Sequence, residues 1–285
     1  MTTTDARAPV AHLIIASIAG RVGLERLARF AQPGEWCIVI GNERDVSVLR
    51  DNGCAARVQP VASGFFRYYQ RWVVCRQLRG MRVFAWDAAA RALVPGAHAI
   101  TATEVLERAP IERAEWTLSE RDAKRRQLGV REGELLIGLL CNAPRMVDVF
   151  SAASMTSFLR TDGLPVRLLV HPTMLRLAQS ALQFARMGAG PMLLVNEVIE
   201  RPWEFAPLLD AAILDADGAL IAPSALPAIW ALAHDTPTLV HRSIALPPEW
   251  DHKAIRFGDD QMCAIRALRI AVEKRESGVA IERAK

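Results

Sequence analysis

Short apolar runs alternate with longer amphipathic stretches along most of the chain. Five runs come first: Leu13–Ala16, Cys37–Ile40, Ala56–Val58, Val83–Trp86 and Ala99–Thr101. Five more follow: Leu135–Leu140, Val166–Val170, Met192–Val195, Ala211–Leu214 and Thr238–Val240. Runs of this length read as buried strands. Helix-like stretches lie between them at Gly23–Ala31, Phe65–Leu78, Phe150–Leu159, Leu175–Met187, Ala225–His234 and Gln261–Lys274. Strand and helix alternating this often predict an α/β protein of parallel sheets with helices on both faces.

The two series are separated near Pro110–Leu118. After it, Ser119-Glu120-Arg121-Asp122 reads as a helix start, with Ser119 accepting from the amide three residues on and Asp122 at the positive helix end. Gly129 then stops that helix. The expected domains are 1–116 and 117–285. The alternative is one larger open sheet with a long surface helix.

Composition narrows the class. Of 285 residues, 51% are hydrophobic and 23% charged, a globular balance that excludes a disordered chain. The longest nearly uncharged stretch, Ala219–Ala233, is broken by Pro223, Ser224 and Pro227, so no membrane-spanning helix is expected. Met1–Val10 lacks the basic-then-apolar layout of a secretory signal. The cysteines are Cys37, Cys54, Cys75, Cys141 and Cys263, with no C-x-x-C spacing. They read as reduced, mostly buried thiols of a cytoplasmic protein, not as a zinc site or disulfide framework. A net charge of +4 is too small to imply a nucleic-acid partner.

In open parallel sheets, ligands bind beyond the carboxyl ends of the strands. In the second series that rule selects Asn142 and Arg145, His171, Asn196 and Glu197, Asp215 and Asp217, and His241 and Arg242. In the first it selects Ser17, Gly20, Arg21 and Gly23, Asn42 and Glu43, Asp87, and Thr103 and Glu104. Each is equally readable as a helix cap or a solvated loop residue. Gly20-Arg21-Val22-Gly23 follows the first strand and is expected to open a helix, where glycines let a phosphate approach backbone amides. A plain turn fits as well. Arg145 suits a diphosphate leaving group, or a pair with Asp148 three residues on.

The chain has no G-x-G-x-x-G, P-loop, G-x-S-x-G or H-E-x-x-H pattern. A dinucleotide oxidoreductase, a serine-triad hydrolase and a metal site are therefore not expected, and no cofactor is. Phe65–Arg79 interleaves aromatics with arginines. It reads first as a domain-packing helix and second as a peripheral membrane contact.

Several segments together resemble the C-terminal half of GT-B-fold glycosyltransferases, the retaining family that uses nucleotide sugars. They are Arg126–Val130, the glycine-bearing run Leu135–Leu140, Gly163–Val170, Phe205–Leu214, Asp217-Gly218, Ala231–Val240 and Phe257-Gly258-Asp259. In domain one the resemblance rests on strand order and Val83–Asp87. It implies two Rossmann-like, doubly wound domains facing across a cleft, the N-terminal one for the acceptor and the C-terminal one for the donor. Arg145 matches the family's basic contact to the donor diphosphate. Together with the residues beyond the strand ends, this gives an expected donor site of Asn142, Arg145, His171, Asn196, Glu197, Asp217 and Ser224, with Gly20 and Gly23 as an acceptor-side phosphate loop. Arg145 is the expected catalytic residue, with Asp87 or Glu104 of domain one orienting the sugar or acceptor. The family's donor-loop glutamates are absent: Asp217 can replace the first, and the second falls at Trp230, whose indole nitrogen only donates. The expected function is a divergent glycosyltransferase with a nucleotide-sugar donor and an unidentified acceptor. The alternative is a non-catalytic scaffold or sugar- or partner-binding module on the same fold.

Overall fold

The structure is a computed structural model describing residues 8–62, 67–111, 116–140, 146–170, 193–195, 202–214, 222–258 and 260–283. The chain forms two compact units, Met1–Pro110 with Ala219–Leu226, and Ile111–Gly218 with Pro227–Lys285.

The first unit runs β1 (Val10–Ile15), α1 (Ala16–Phe30), β2 (Trp36–Ile40), α2 (Glu43–Asp51), β3 (Arg57–Val61), α3 (Arg67–Gln77), β4 (Arg82–Ala85), α4 (Ala88–Leu93), β5 (His98–Ala99) and α5 (Ala102–Arg108). Its strands are parallel in the order β3-β2-β1-β4-β5. Alternation along a strand divides residues between the two faces. Ala11 and Leu13 of β1, Ile38 and Ile40 of β2, and Val83 and Ala85 of β4 share one core, closed by Val74 and Leu78 at the end of α3. His12 and Cys37 fall on the opposite face, and the His12 ring meets Phe30 of α1 edge-on at 5.4 Å between centroids. Arg26 of α1 donates to the carbonyls of Ala109 (2.8 Å) and Pro110 (3.1 Å), fixing the chain beyond α5.

The second unit runs α6 (Leu118–Gln127), β6 (Leu135–Leu139), α7 (Met146–Thr161), β7 (Val166–Val170), β8 (Leu193–Val195), a 3-10 helix (Pro202–Leu208), β9 (Ala211–Leu214), α8 (Ala222–Ala233, whose residues up to Leu226 belong to the first unit), β10 (Thr238–His241), α9 (Pro248–Asp251), β11 (Ile255–Phe257) and α10 (Gln261–Arg283). Its parallel sheet has the order β11-β10-β9-β6-β7-β8. Renumbered from β6, that is the doubly wound 3-2-1-4-5-6 order, and the first unit repeats its first five positions. Every residue of β6, β7 and β9 is buried, as strands covered on both faces require.

Four helices end in one way. The chain turns through a left-handed residue at Gly53 (φ 73°), Gly129 (79°), Gly163 (89°) and Asp235 (55°) after α2, α6, α7 and α8. In each case that residue and the next donate back to the last turn, for example Gly129 to Arg126 O (2.9 Å) and Val130 to Arg125 O (3.0 Å). This is the Schellman arrangement, and it satisfies carbonyls that the helix end leaves open.

Several expectations need correction. α1 begins at Ala16, directly on the end of β1, not at Gly23. Gly20 and Gly23 therefore lie inside the helix, and Gly23 is buried. α6 is capped by Thr117, not Ser119: Thr117 and Glu120 form a complete capping box, with the Thr117 N–H donating to Glu120 at 2.9 Å. Only Thr117 has a glutamate three residues on to close the box. α2 and β11 are elements that the hydrophobic pattern left out. The expected helix Leu175–Met187 lies outside the described residues.

Candidate functional site

The doubly wound order reverses between β6 and β9 in the second unit, and between β1 and β4 in the first. In open parallel sheets of this order, ligands bind at the carboxyl edge beside such a reversal.

In the second unit, the amino edge below this point is locked by one carboxylate. Asp210, just before β9, accepts from Arg121 (3.0 Å) and Arg125 (2.7 Å) of α6 and from the Leu136 N–H of β6 (2.7 Å). Arg125 donates also to Leu208 O (2.8 Å) and Glu134 O (2.6 Å). Four elements, α6, the 3-10 helix, β6 and β9, are thus fixed around one buried charge cluster. Nearby, Arg167 pairs with Glu134 at 2.9 Å. Gly138 sets the close approach one layer up: a Cβ there would lie 2.4 Å from Leu209 Cδ1, and Leu209 is itself fully buried.

At the carboxyl edge, β6 ends at Leu139, and α7 begins at Met146, the residue after Arg145. Asn142, Arg145, His171, Asn196, Glu197 and Asp217 lie outside the described residues. Ser224 belongs to the first turn of α8. Beyond β10, His241 Nδ1 lies 2.6 Å from the Ser243 hydroxyl, and the Arg242 side chain runs over Gly258, where a Cβ would be 3.6 Å from Arg242 Cδ. Trp230 is in the last turn of α8, the end leading back to the amino edge, where it packs on the core and stacks on His234 at 5.7 Å.

In the first unit, Asn42, Asp87 and Thr101, after β2, β4 and β5, are helix caps. Asn42 and Thr101 make capping boxes with Asp45 and Glu104. Burial raises the Glu104 pKa, but hydrogen bonds from Thr101 and His98 outweigh it, and the net shift is downward. Asp87 caps α4 through the Ala90 N–H (2.7 Å) and with its other oxygen accepts the Ile15 N–H (2.9 Å). It is 1% exposed. Burial pushes its pKa up, against the opposing effect of the amides. Both oxygens of Asp87 are engaged at the β1/β4 reversal, so the structure gives it the work of a clamp and cap, not of a reacting group.

Phe65 and Phe66 lie outside the described residues. Farther along α3, Val74 and Leu78 turn into the core while Trp72 is 56% exposed with the Arg76 guanidinium 5.4 Å from its ring centroid. Among the described residues, no helix is long and apolar enough to cross a membrane, and no cluster of three or more His, Cys, Asp or Glu is arranged for a metal ion. The sequence reading missed the Arg121–Arg125–Asp210 cluster. Its signal was two arginines one helical turn apart and a lone aspartate opening an apolar run.

No family profile and no curated protein matches the sequence. Solved structures do match the fold. A glycosyltransferase from Rickettsia africae ESF-5 is 8% identical, with a TM-score of 0.59 over 94% of this chain and 89% of that one. HepE from Anabaena, in complex with UDP and glucose, is 10% identical, with a TM-score of 0.58 over 98% of this chain and 100% of that one. A putative UDP-N-acetylglucosamine 2-epimerase from Listeria monocytogenes is 10% identical, with a TM-score of 0.55 over 95% and 89%. At these identities the likeness is one of architecture, and the chain has the two-sheet α/β fold of the GT-B glycosyltransferases.

Proposed function

We propose that this protein is a divergent glycosyltransferase moving a sugar from a nucleotide-sugar donor to an acceptor. The observation that carries the reading is the fold likeness spanning nearly the whole chain, including HepE, described with UDP and glucose. The doubly wound order of the second sheet supports it, since ligands of such sheets bind beside the strand-order reversal, here between β6 and β9. In this reading, domain 117–285 binds the donor and domain 1–116 serves the acceptor. Asn142, His171, Asn196, Glu197, Asp217 and Ser224 contact the donor, with the base near Asn196. Arg145 neutralises the diphosphate and stabilises the charge that develops as it departs. Retention at the anomeric carbon rests on the family resemblance, and a cytoplasmic location on the cysteine usage.

The test is calorimetric titration of nucleoside diphosphates into the protein and into Arg145→Ala. One diphosphate is expected to bind, and the variant to bind it about 10- to 100-fold more weakly, the worth of a charge-assisted hydrogen bond. No binding to the unaltered protein removes the donor site. Equal binding by both removes Arg145 from it.

One observation favours the second reading, a binding module without catalysis: both Asp87 oxygens are held by amides, which withdraws one acid from the reaction. Nucleotide binding without release of diphosphate from any nucleotide sugar, across an acceptor screen, supports that reading over the first.

A further inference from the structure

The amino edge of the first sheet carries two facing thiols that the carboxyl-edge site does not use. Cys37, the second residue of β2, lies with its Sγ 4.0 Å from the Sγ of Cys54. Both backbones are fixed. Cys37 sits in the ladder between His12 of β1 and Val58 of β3. Cys54 closes the Schellman turn after α2, its N–H donating to Leu49 O at 3.0 Å just past Gly53. Bonded sulfurs stand about 2.05 Å apart, so forming the bond closes a gap of about 2 Å. Cys37 is fully buried, whereas Cys54 is partly exposed.

We propose that Cys37 and Cys54 form a reversible redox modification site, at which a hydroperoxide converts the dithiol into a disulfide.

The difference in exposure assigns the roles. Cys54 can meet an oxidant and Cys37 cannot. The hydrogen bond between the two thiols lowers the Cys54 pKa to about 7; burial opposes the shift and the Ala56 N–H assists it. The Cys37 thiol is pushed up by the same hydrogen bond, by burial and by the charges of Cys54 and Glu35. A partly exposed thiolate beside a resolving thiol is the arrangement that peroxide-sensing pairs require.

The Cys54 thiolate attacks the outer peroxide oxygen. An S–O bond forms, the O–O bond breaks, and an alcohol or water leaves after taking a proton, so Cys54 becomes a sulfenic acid. Cys37 then attacks that sulfur. The S–S bond forms, the S–O bond breaks, and water leaves with the Cys37 proton. The two sulfurs together lose two electrons, and the peroxide gains them. A dithiol reductant reverses the change by thiol–disulfide exchange. The bond would tie the end of α2 to the start of β2.

Other thiols provide the contrast. The Cys263 thiol donates to Asp260, and that carboxylate pushes its pKa up. Cys75 is exposed, and its thiol lies 3.6 Å from Leu93 O.

The experiment treats the folded full-length protein with hydrogen peroxide, blocks remaining thiols with an alkylating agent, and maps tryptic peptides by mass spectrometry without reduction. Cleavage at Arg44 and Arg50 separates the two cysteines. The expected product is Phe30–Arg44 linked to Asp51–Arg57, and it disappears on treatment with dithiothreitol. Cys37→Ser should leave a sulfenic acid on Cys54 that dimedone traps, whereas Cys54→Ser should leave Cys37 unmodified in the folded protein. The proposal is overturned if both peptides are recovered unlinked and alkylated, if Cys75 or Cys263 is oxidised while the pair stays reduced, or if the link forms only in denaturant.

Discussion

Burying a histidine in the central strand of a sheet requires partners for both ring nitrogens, and His12 has them. The Trp86 indole N–H only donates, so at 3.4 Å it makes His12 Nδ1 an acceptor. The proton then sits on Nε2, which donates to Glu35 at 2.8 Å. Burial lowers the His12 pKa below its ordinary 6.5, the hydrogen bond and charge of Glu35 oppose this, and Arg108 adds to it. The unfolded chain therefore takes up a proton at a higher pH than the folded one. Stability contributed by neutral His12 is complete above 6.5 and is lost as pH falls from there through the lowered folded value. Thermal melts between about pH 8 and about pH 5 should show it, and His12→Gln should flatten the profile in that window. A variant with an unchanged profile would remove His12 as the cause. At this scale the sequence is ambiguous for a physical reason. Asn42, Asp87 and Thr101 follow strands as ligand-binding residues do, yet each proves to be a cap, because both uses place a small oxygen-bearing side chain at a helix start. Asp235 shows a related substitution. It occupies a left-handed position of the kind glycine fills after α2, α6 and α7, a conformation that aspartate tolerates better than most residues.

Between elements, the strongest organiser is Asp210. Removing one partner of a buried, hydrogen-bonded ion cluster leaves its other charges uncompensated, at a cost of about 3–5 kcal/mol. Asp210→Ala should lower stability by that order in denaturant melts, because Arg121 and Arg125 both lose their carboxylate and the Leu136 N–H loses its acceptor. A loss below about 1 kcal/mol, the range of an exposed pair, would mean that the cluster is solvated. The apolar runs located most strands well. Val166–Val170 and Ala211–Leu214 coincide with β7 and β9 because both are buried throughout. The misses have the opposite character. α2 buries only Val46 and Leu49 among charged neighbours, and β11 is three residues interrupted by Arg256. Neither offers a run long enough for periodicity to register.

For the molecule as a whole, alternation of strands and helices was enough to foresee parallel sheets covered by helices on both faces, since that alternation has few other solutions, whereas the doubly wound order came from the family resemblance. It could not foresee which edge residues meet a ligand, since loops after strands are polar in either case. The two units share an order but differ at their reversals. In the first, β1 passes into α1 without a loop, and Asp87 bridges the junction to β4. That carboxyl group stands where a Rossmann-like domain would otherwise receive a phosphate. Diphosphate entering there would find the Ile15 amide already taken. Duplicated topology therefore does not imply duplicated capacity: saturation should come at a molar ratio of one nucleotide to one polypeptide, and a second equivalent taken up at comparable affinity would show that the clamp yields.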